Sequence, residues 1–143
     1  MDPVVKQSIF DAVAQEPFAQ ALKLCLMELE LGRSVVEMDY APALMDNIYT
    51  RCHGGALFAL IDEAFETASQ THGTIAVALN VNVTYVRPPE AGERLRAQAE
   101  EVALTRKTAT YAIKVTNANG DLIATCQALA YRTGKPVAFG ATS

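Results

Sequence analysis

A chain of 143 residues suits one domain, and with half its residues apolar and a fifth charged it carries enough aliphatic surface for a core in water. A net charge of −4 weighs against nucleic acid as a partner, and three cysteines without CxxC spacing weigh against a disulfide framework or a structural zinc. Two histidines with no HExxH pairing weigh against a metal enzyme, no apolar run approaches the ~18 residues that span a bilayer, and residues 1–6 are too acidic and mixed for a secretory leader, so the expected setting is the cytoplasm.

Residues 4–16 read as a short amphipathic helix, with Val5, Ile9 and Val13 on one face. Pro17 closes it, because a residue before proline avoids helical geometry. Residues 22–31 read as a strand on the alternation Leu29-Glu30-Leu31, Gly32-Arg33 turns the chain, and residues 35–40 return as a second strand. Residues 41–52, with Pro42 and Asn47, form an irregular connection. Residues 54–70 are the best helix in the chain: Leu57, Leu60, Ile61, Ala64 and Ala68 fall on one side at helical spacing. Residues 75–86 are β-branched and alternate Val77, Leu79, Val81, Val83 and Tyr85 against Asn80, Asn82 and Thr84. Strands follow at 94–104, 108–116 and 122–132, with a tight hairpin loop at 117–121 and a loose tail expected from 134 to 143. This order suits an α+β fold, an antiparallel sheet with a helix packed on one face, in one domain.

The long helix carries the candidate chemistry. Asp62 falls opposite Leu60 and Ala64, and Gly55, two turns earlier, lies on nearly the same outward face. Ala59 stands between them, with Phe58 and Phe65 on the flank, so the face reads as one to be covered by a ligand or a second subunit. A helix start presents N–H groups without carbonyl partners, and glycine there lets a ligand come close. The Gly55 N–H therefore suits a polarised thioester carbonyl, and Asp62 suits a nucleophile or a base for water. Seven residues of helix span ~10.5 Å. One helix cannot bring both groups to one carbonyl, but two antiparallel copies can, which predicts a twofold dimer. Against this stand plainer readings: Asp62 as a solvated surface carboxylate, His53 as a cap, Cys52 as inert, Asn47 as a turn residue.

Cys52-His53-Gly54-Gly55 with Asp62, then Tyr85-Val86-Arg87-Pro88 and Ala91-Gly92, resembles the hotdog thioesterases of the phenylacetate-pathway (PaaI-type) family. The resemblance implies a hotdog fold, a sheet wrapped around a long central helix, and hydrolysis of an aryl- or medium-chain acyl-CoA. It implies catalytic roles for Asp62, Gly55, Asn47 and His53. Asn47 would position a water or the thioester, and His53 would support the loop and the carbonyl. Arg87 and the stretch Arg106-Lys107-Thr108 resemble places where such enzymes hold the nucleotide end of coenzyme A, or are solvated strand-end charges, and Phe58 and Phe65 are candidate lining for the acyl group or equally candidate dimer core. No metal and no cofactor are expected, coenzyme A being part of the substrate, and the assembly expected is a dimer or dimer of dimers. The chain departs from the family at Ala78-Leu79-Asn80, where relatives often carry Ser or Thr, a residue, then Asp; Ala78 cannot orient a water. That departure favours the alternative of a non-catalytic acyl-CoA-binding or sensing protein. A hydratase, needing a histidine paired with a carboxylate in a different motif, fits less well.

Overall fold

The computed structural model describes residues 1–139. Asp2 caps α1 (Pro3–Gln15), its carboxylate accepting the Val4 N–H at 2.8 Å. Pro17 stops α1 as expected, but it also opens α2 (Pro17–Leu22), since proline is well suited to a first helical turn. Lys23 closes α2 in the left-handed region, its N–H shared by the Ala19 and Gln20 carbonyls. The strand expected from residue 22 is thus delayed, and β1 covers Cys25–Glu30.

Beyond β1 come β2 (Arg33–Asp39), a single helical turn α3 (Pro42–Met45), α4 (Gly54–Ser69), β3 (Thr74–Tyr85), β4 (Arg94–Leu104), β5 (Thr108–Thr116) and β6 (Leu122–Pro136). The six strands form one sheet in the order β1-β2-β4-β5-β6-β3, every neighbouring pair antiparallel. The tail expected from residue 134 starts later: β6 continues to Pro136, and the Val137 N–H donates to the Gly73 carbonyl at 2.9 Å. Residues 140–143 lie outside the described residues.

The sheet curls around α4, which touches all six strands. Leu57, Leu60, Ile61, Ala64 and Ala68 are buried against Val36, Met38, Leu95 and Ile113. Alanines at 97, 99, 128 and 130 keep the sheet surface low enough for the helix to sit close. Polar ties fix its register: Ser34 Oγ donates to the Ala64 carbonyl at 2.6 Å, and Thr71 Oγ1 accepts the Gly32 N–H at 2.8 Å. Gln70 pairs with the backbone of Ala76 through both its amide groups, at 2.9 and 3.0 Å, and so joins the end of α4 to the start of β3. Among the described residues, no helix is long and apolar enough to cross a membrane.

One expectation fails here. Phe65 does not line an outward surface; it is 2% exposed and its ring tilts at 60° against Tyr111, centroids 5.5 Å apart. Removing a core aromatic costs about 3–5 kcal/mol. Phe65→Ala is therefore expected to lower unfolding stability by that amount, read from the midpoint of a urea titration.

Candidate active site

The burial of α4 leaves a narrow stripe at its surface: Gly55, Phe58, Asp62 and Glu66. Phe58 is 37% exposed, unlike Phe65, while Ala59, expected on this face, is buried at 5%. Asp62 is half-buried, and burial raises its carboxyl above the usual range with no cation or donor among the described residues to offset it. A carboxylate held this way is a stronger base than one in water. The Asp62 charge also reaches the Cys126 thiol on β6, which burial chiefly pushes up to about 11. Next to Asp62, burial first and then the repulsion of neighbouring carboxylates push Glu63 up to about 8 and Glu66 up to about 7.

The start of α4 is built by the loop before it. Asn47 Oδ1 accepts the Tyr49 N–H at 2.9 Å and the Arg51 N–H at 3.2 Å, and the Asn47 N–H donates to the Arg51 carbonyl at 2.7 Å. The tight loop carries Thr50 at a φ of 56°, costly for a β-branched residue. Its base is closed by the Asp46–Cys52 bridge and by the His53 N–H donating to the Met45 carbonyl at 2.7 Å. Asn47 thus spends its side-chain oxygen on the loop, and its amide N–H2 has no hydrogen-bond partner among the described residues. Cys52 is buried, and that burial pushes its thiol up to about 11, as suits an inert residue.

His53 caps α4: its Nδ1 accepts the Gly55 N–H at 2.8 Å. A nitrogen that accepts carries no proton, so the ring proton sits on Nε2. The amide expected to meet a thioester is therefore engaged by an imidazole, and an acyl oxygen must share or displace that bond. Gly54 serves a different contact. Tyr85 Oη donates to the Gly54 carbonyl at 3.0 Å, and a Cβ on Gly54 would stand 3.1 Å from the phenol.

Asn47, Arg51, Cys52, Gly54, Leu57 and residues 85–88 enclose a cleft of about 430 Å³. Tyr85 and Arg51 belong to it though the sequence reading assigned them no role; the position of Tyr85 in the run before Arg87-Pro88 was the available signal. Arg87 lies at the cleft and is exposed, with its guanidinium 3.5 Å from Asp121. Arg106, Lys107 and Thr108 do not join it. Arg106 and Lys107 form the β4–β5 turn and Thr108 opens β5, with Thr105 Oγ1 accepting the Lys107 and Thr108 N–H groups. Thr108 pairs with Tyr131, whereas Tyr85 pairs with Ala124 on the same β6 strand. The two cationic groups are thus about 23 Å apart within one chain, at ~3.3 Å per residue. Ala78 is exposed on β3 beside a bulge, the pairing stepping from Ala78–Ala130 to Asn80–Leu129.

Residues 49–124, which hold the Asn47 loop's exit, the cap, Asp62 and Arg87, match a family model described as the thioesterase superfamily. The chain belongs to that superfamily. The Escherichia coli acyl-coenzyme A thioesterase PaaI is 34% identical over 116 residues, covering 81% of this chain and 82% of that protein. The solved E. coli PaaI structure has a TM-score of 0.88 at 29% identity, covering 94% of this chain and 96% of that one. A variant of the phenylacetic acid degradation protein PaaI from Thermus thermophilus has a TM-score of 0.77 at 40% identity, covering 82% and 99%. A Streptococcus mutans protein crystallised with acetyl CoA has a TM-score of 0.75 at 25% identity, covering 80% and 91%. The fold is accordingly the hotdog, and the enzyme class is that of a thioesterase.

Losing a capping side chain costs about 0.5–2 kcal/mol. His53→Ala is expected to fall in that range in chemical denaturation, with amide exchange at Gly55 and Ala56 rising before that of the middle of α4.

Proposed function

We propose that the chain hydrolyses the thioester of an aryl- or medium-chain acyl-CoA, releasing the free acid and CoA. The observation that carries this reading is the exposed stripe of α4, where a helix-start amide and a half-buried carboxylate stand two turns apart beside a cleft lined by Arg87. The Gly55 N–H polarises the carbonyl oxygen once that oxygen takes the place of His53 Nδ1. Asp62 then either draws a proton from a water whose oxygen bonds to the carbonyl carbon, or attacks that carbon itself. In both versions the carbonyl oxygen gains negative charge at the Gly55 amide and the C–S bond breaks; in the first the protonated Asp62 returns its proton to the departing CoA thiolate, and in the second CoA leaves a mixed anhydride on Asp62 that a water hydrolyses to the free acid and the Asp62 carboxylate, the water's released proton going to the thiolate. No cofactor enters; Asn47 Nδ2 orients the thioester or the water.

The ~10.5 Å between Gly55 and Asp62 along one helix supports a site shared by two antiparallel copies of α4. The edge strand supports the same dimer. β3 is 12 residues long, pairs among the described residues only with β6 and contains no charged residue or proline to discourage another strand. Its pairing with a second β3 across a twofold axis suits the exposed Val77 and Leu79. It also brings the Arg106-Lys107-Thr108 turn of one subunit toward the Arg87 cleft of the other, where the phosphates of CoA need cations. A dimer of dimers keeps these paired sites. Three free cysteines suit the cytoplasm, which keeps thiols reduced. The acyl-CoA named for the E. coli relative and the acetyl CoA held by the Streptococcus protein support the substrate class.

Two outcomes test this reading. In a panel of acyl-CoAs with a thiol-trapping dye, wild-type protein is expected to release thiol, and Asp62→Asn to lose ~10²-fold or more in kcat while remaining folded. Ligand binding without thiol release from any acyl-CoA would instead support the sensing alternative, and a near-wild-type Asp62→Asn would remove the carboxylate from the mechanism. On dilution, turnover per subunit is expected to fall in step with the dimer fraction seen by light scattering; full turnover from isolated monomers contradicts a shared site.

A further inference from the structure

Three carboxylates unused by this chemistry meet where the α1–α2 elbow reaches α4. Glu16 sits at the elbow as the last cap of α1 and the first of α2. Glu63 and Glu66 come from α4, and the three residues bring carboxylate oxygens within 4.8 Å of one another. Glu63 is the decisive member. It is only 3% exposed, and its Oε1 is buried with no hydrogen-bond partner among the described residues. Buried polar atoms are nearly always satisfied, and an orphaned carboxylate oxygen carries a large desolvation cost. Asp62 adds a fourth negative charge to the neighbourhood, and no lysine or arginine among the described residues lessens the repulsion at Glu63 or Glu66.

A proton shared by Glu16 and Glu63 removes one charge and leaves Glu66 facing the other. A divalent cation removes two and is held by one carboxylate oxygen from each of the three residues. We infer that Glu16, Glu63 and Glu66 form a site for one oxygen-seeking divalent cation of the Ca²⁺ kind per subunit. Ca²⁺ binds carboxylate oxygens at about 2.3–2.6 Å, so two of its ligands stand up to about 5 Å apart, a span that accommodates this cluster; it also tolerates irregular geometry completed by water. A trio of oxygens without nitrogen or sulfur is a poor match for zinc. The bound ion ties the N-terminal elbow to the central helix and lowers the negative field around Asp62. The site stands on its own geometry and does not depend on the thioesterase mechanism.

Calorimetric titration of the chelator-stripped full chain with CaCl₂, with MgCl₂ alongside, tests the site together with thermal unfolding in the same buffers. Expected are saturable uptake of one Ca²⁺ per subunit, weaker uptake of Mg²⁺, and a rise in Tm with Ca²⁺. Glu63→Gln is expected to abolish uptake, and Glu16→Gln to weaken it about tenfold or more. If Glu63→Gln fails to fold, Glu66→Gln, at an exposed position, is expected to show the same loss. Wild-type protein that takes up no Ca²⁺ and shows no change in Tm overturns the inference, as does a Glu63→Gln or Glu66→Gln variant that binds Ca²⁺ like wild type.

Discussion

The packing of α4 against every strand of the sheet constrains everything else. A helix with ~3.6 residues per turn that is buried on most of its circumference can show solvent only a thin line of positions. Here that line runs through Gly55, Phe58, Asp62 and Glu66. Chemistry on this helix must use those positions, and their spacing along the axis decides which of them a single ligand can touch. The ties at Ser34, Gln70 and Thr71 matter for the same reason: they prevent the helix from rotating or sliding and carrying the line out of place.

Much of this was legible in the sequence because period and chemistry agreed. The helix at 54–70 and the strands from β3 to β6 are written in long runs with clear repeats, and the strand boundaries match within a residue or two until β6 runs past its expected end. Pro17 was harder to read, since the same ring that ends one helix favours the first turn of another. Phe65 shows a different limit. A helical wheel placed it on a flank, but a flank is solvent or core depending on how far the sheet curls, and that is settled by strands distant in sequence. The His53–Gly55 bond was within reach, since a polar side chain before a glycine pair is a natural cap; what could not be read was that the cap takes the very amide assigned to the substrate. The meeting of Glu16 with Glu63 and Glu66 had no local signal, because it depends on where the elbow after α1 folds back.

The acidic end of the stripe and the cationic groups at the cleft divide the molecule electrostatically. Arg51 and Arg87 stand near the glycine end of α4, where the helix dipole is positive, and suit an anionic ligand. Asp62, Glu63 and Glu66 stand further along, in surroundings that resist ionisation. The cationic groups and the carboxylates that resist ionisation thus fall at separate places along one helix.

The loop closed by Asn47 has a mechanical consequence. It holds a threonine in a backbone conformation that branched residues avoid, while its hydrogen bonds all run inward to its own chain. Such a segment behaves as a stiff spring at the threshold of the helix. It fixes the direction in which the imidazole of His53 leaves the backbone, and with it the bond that the Gly55 N–H donates to Nδ1 at the first turn of α4.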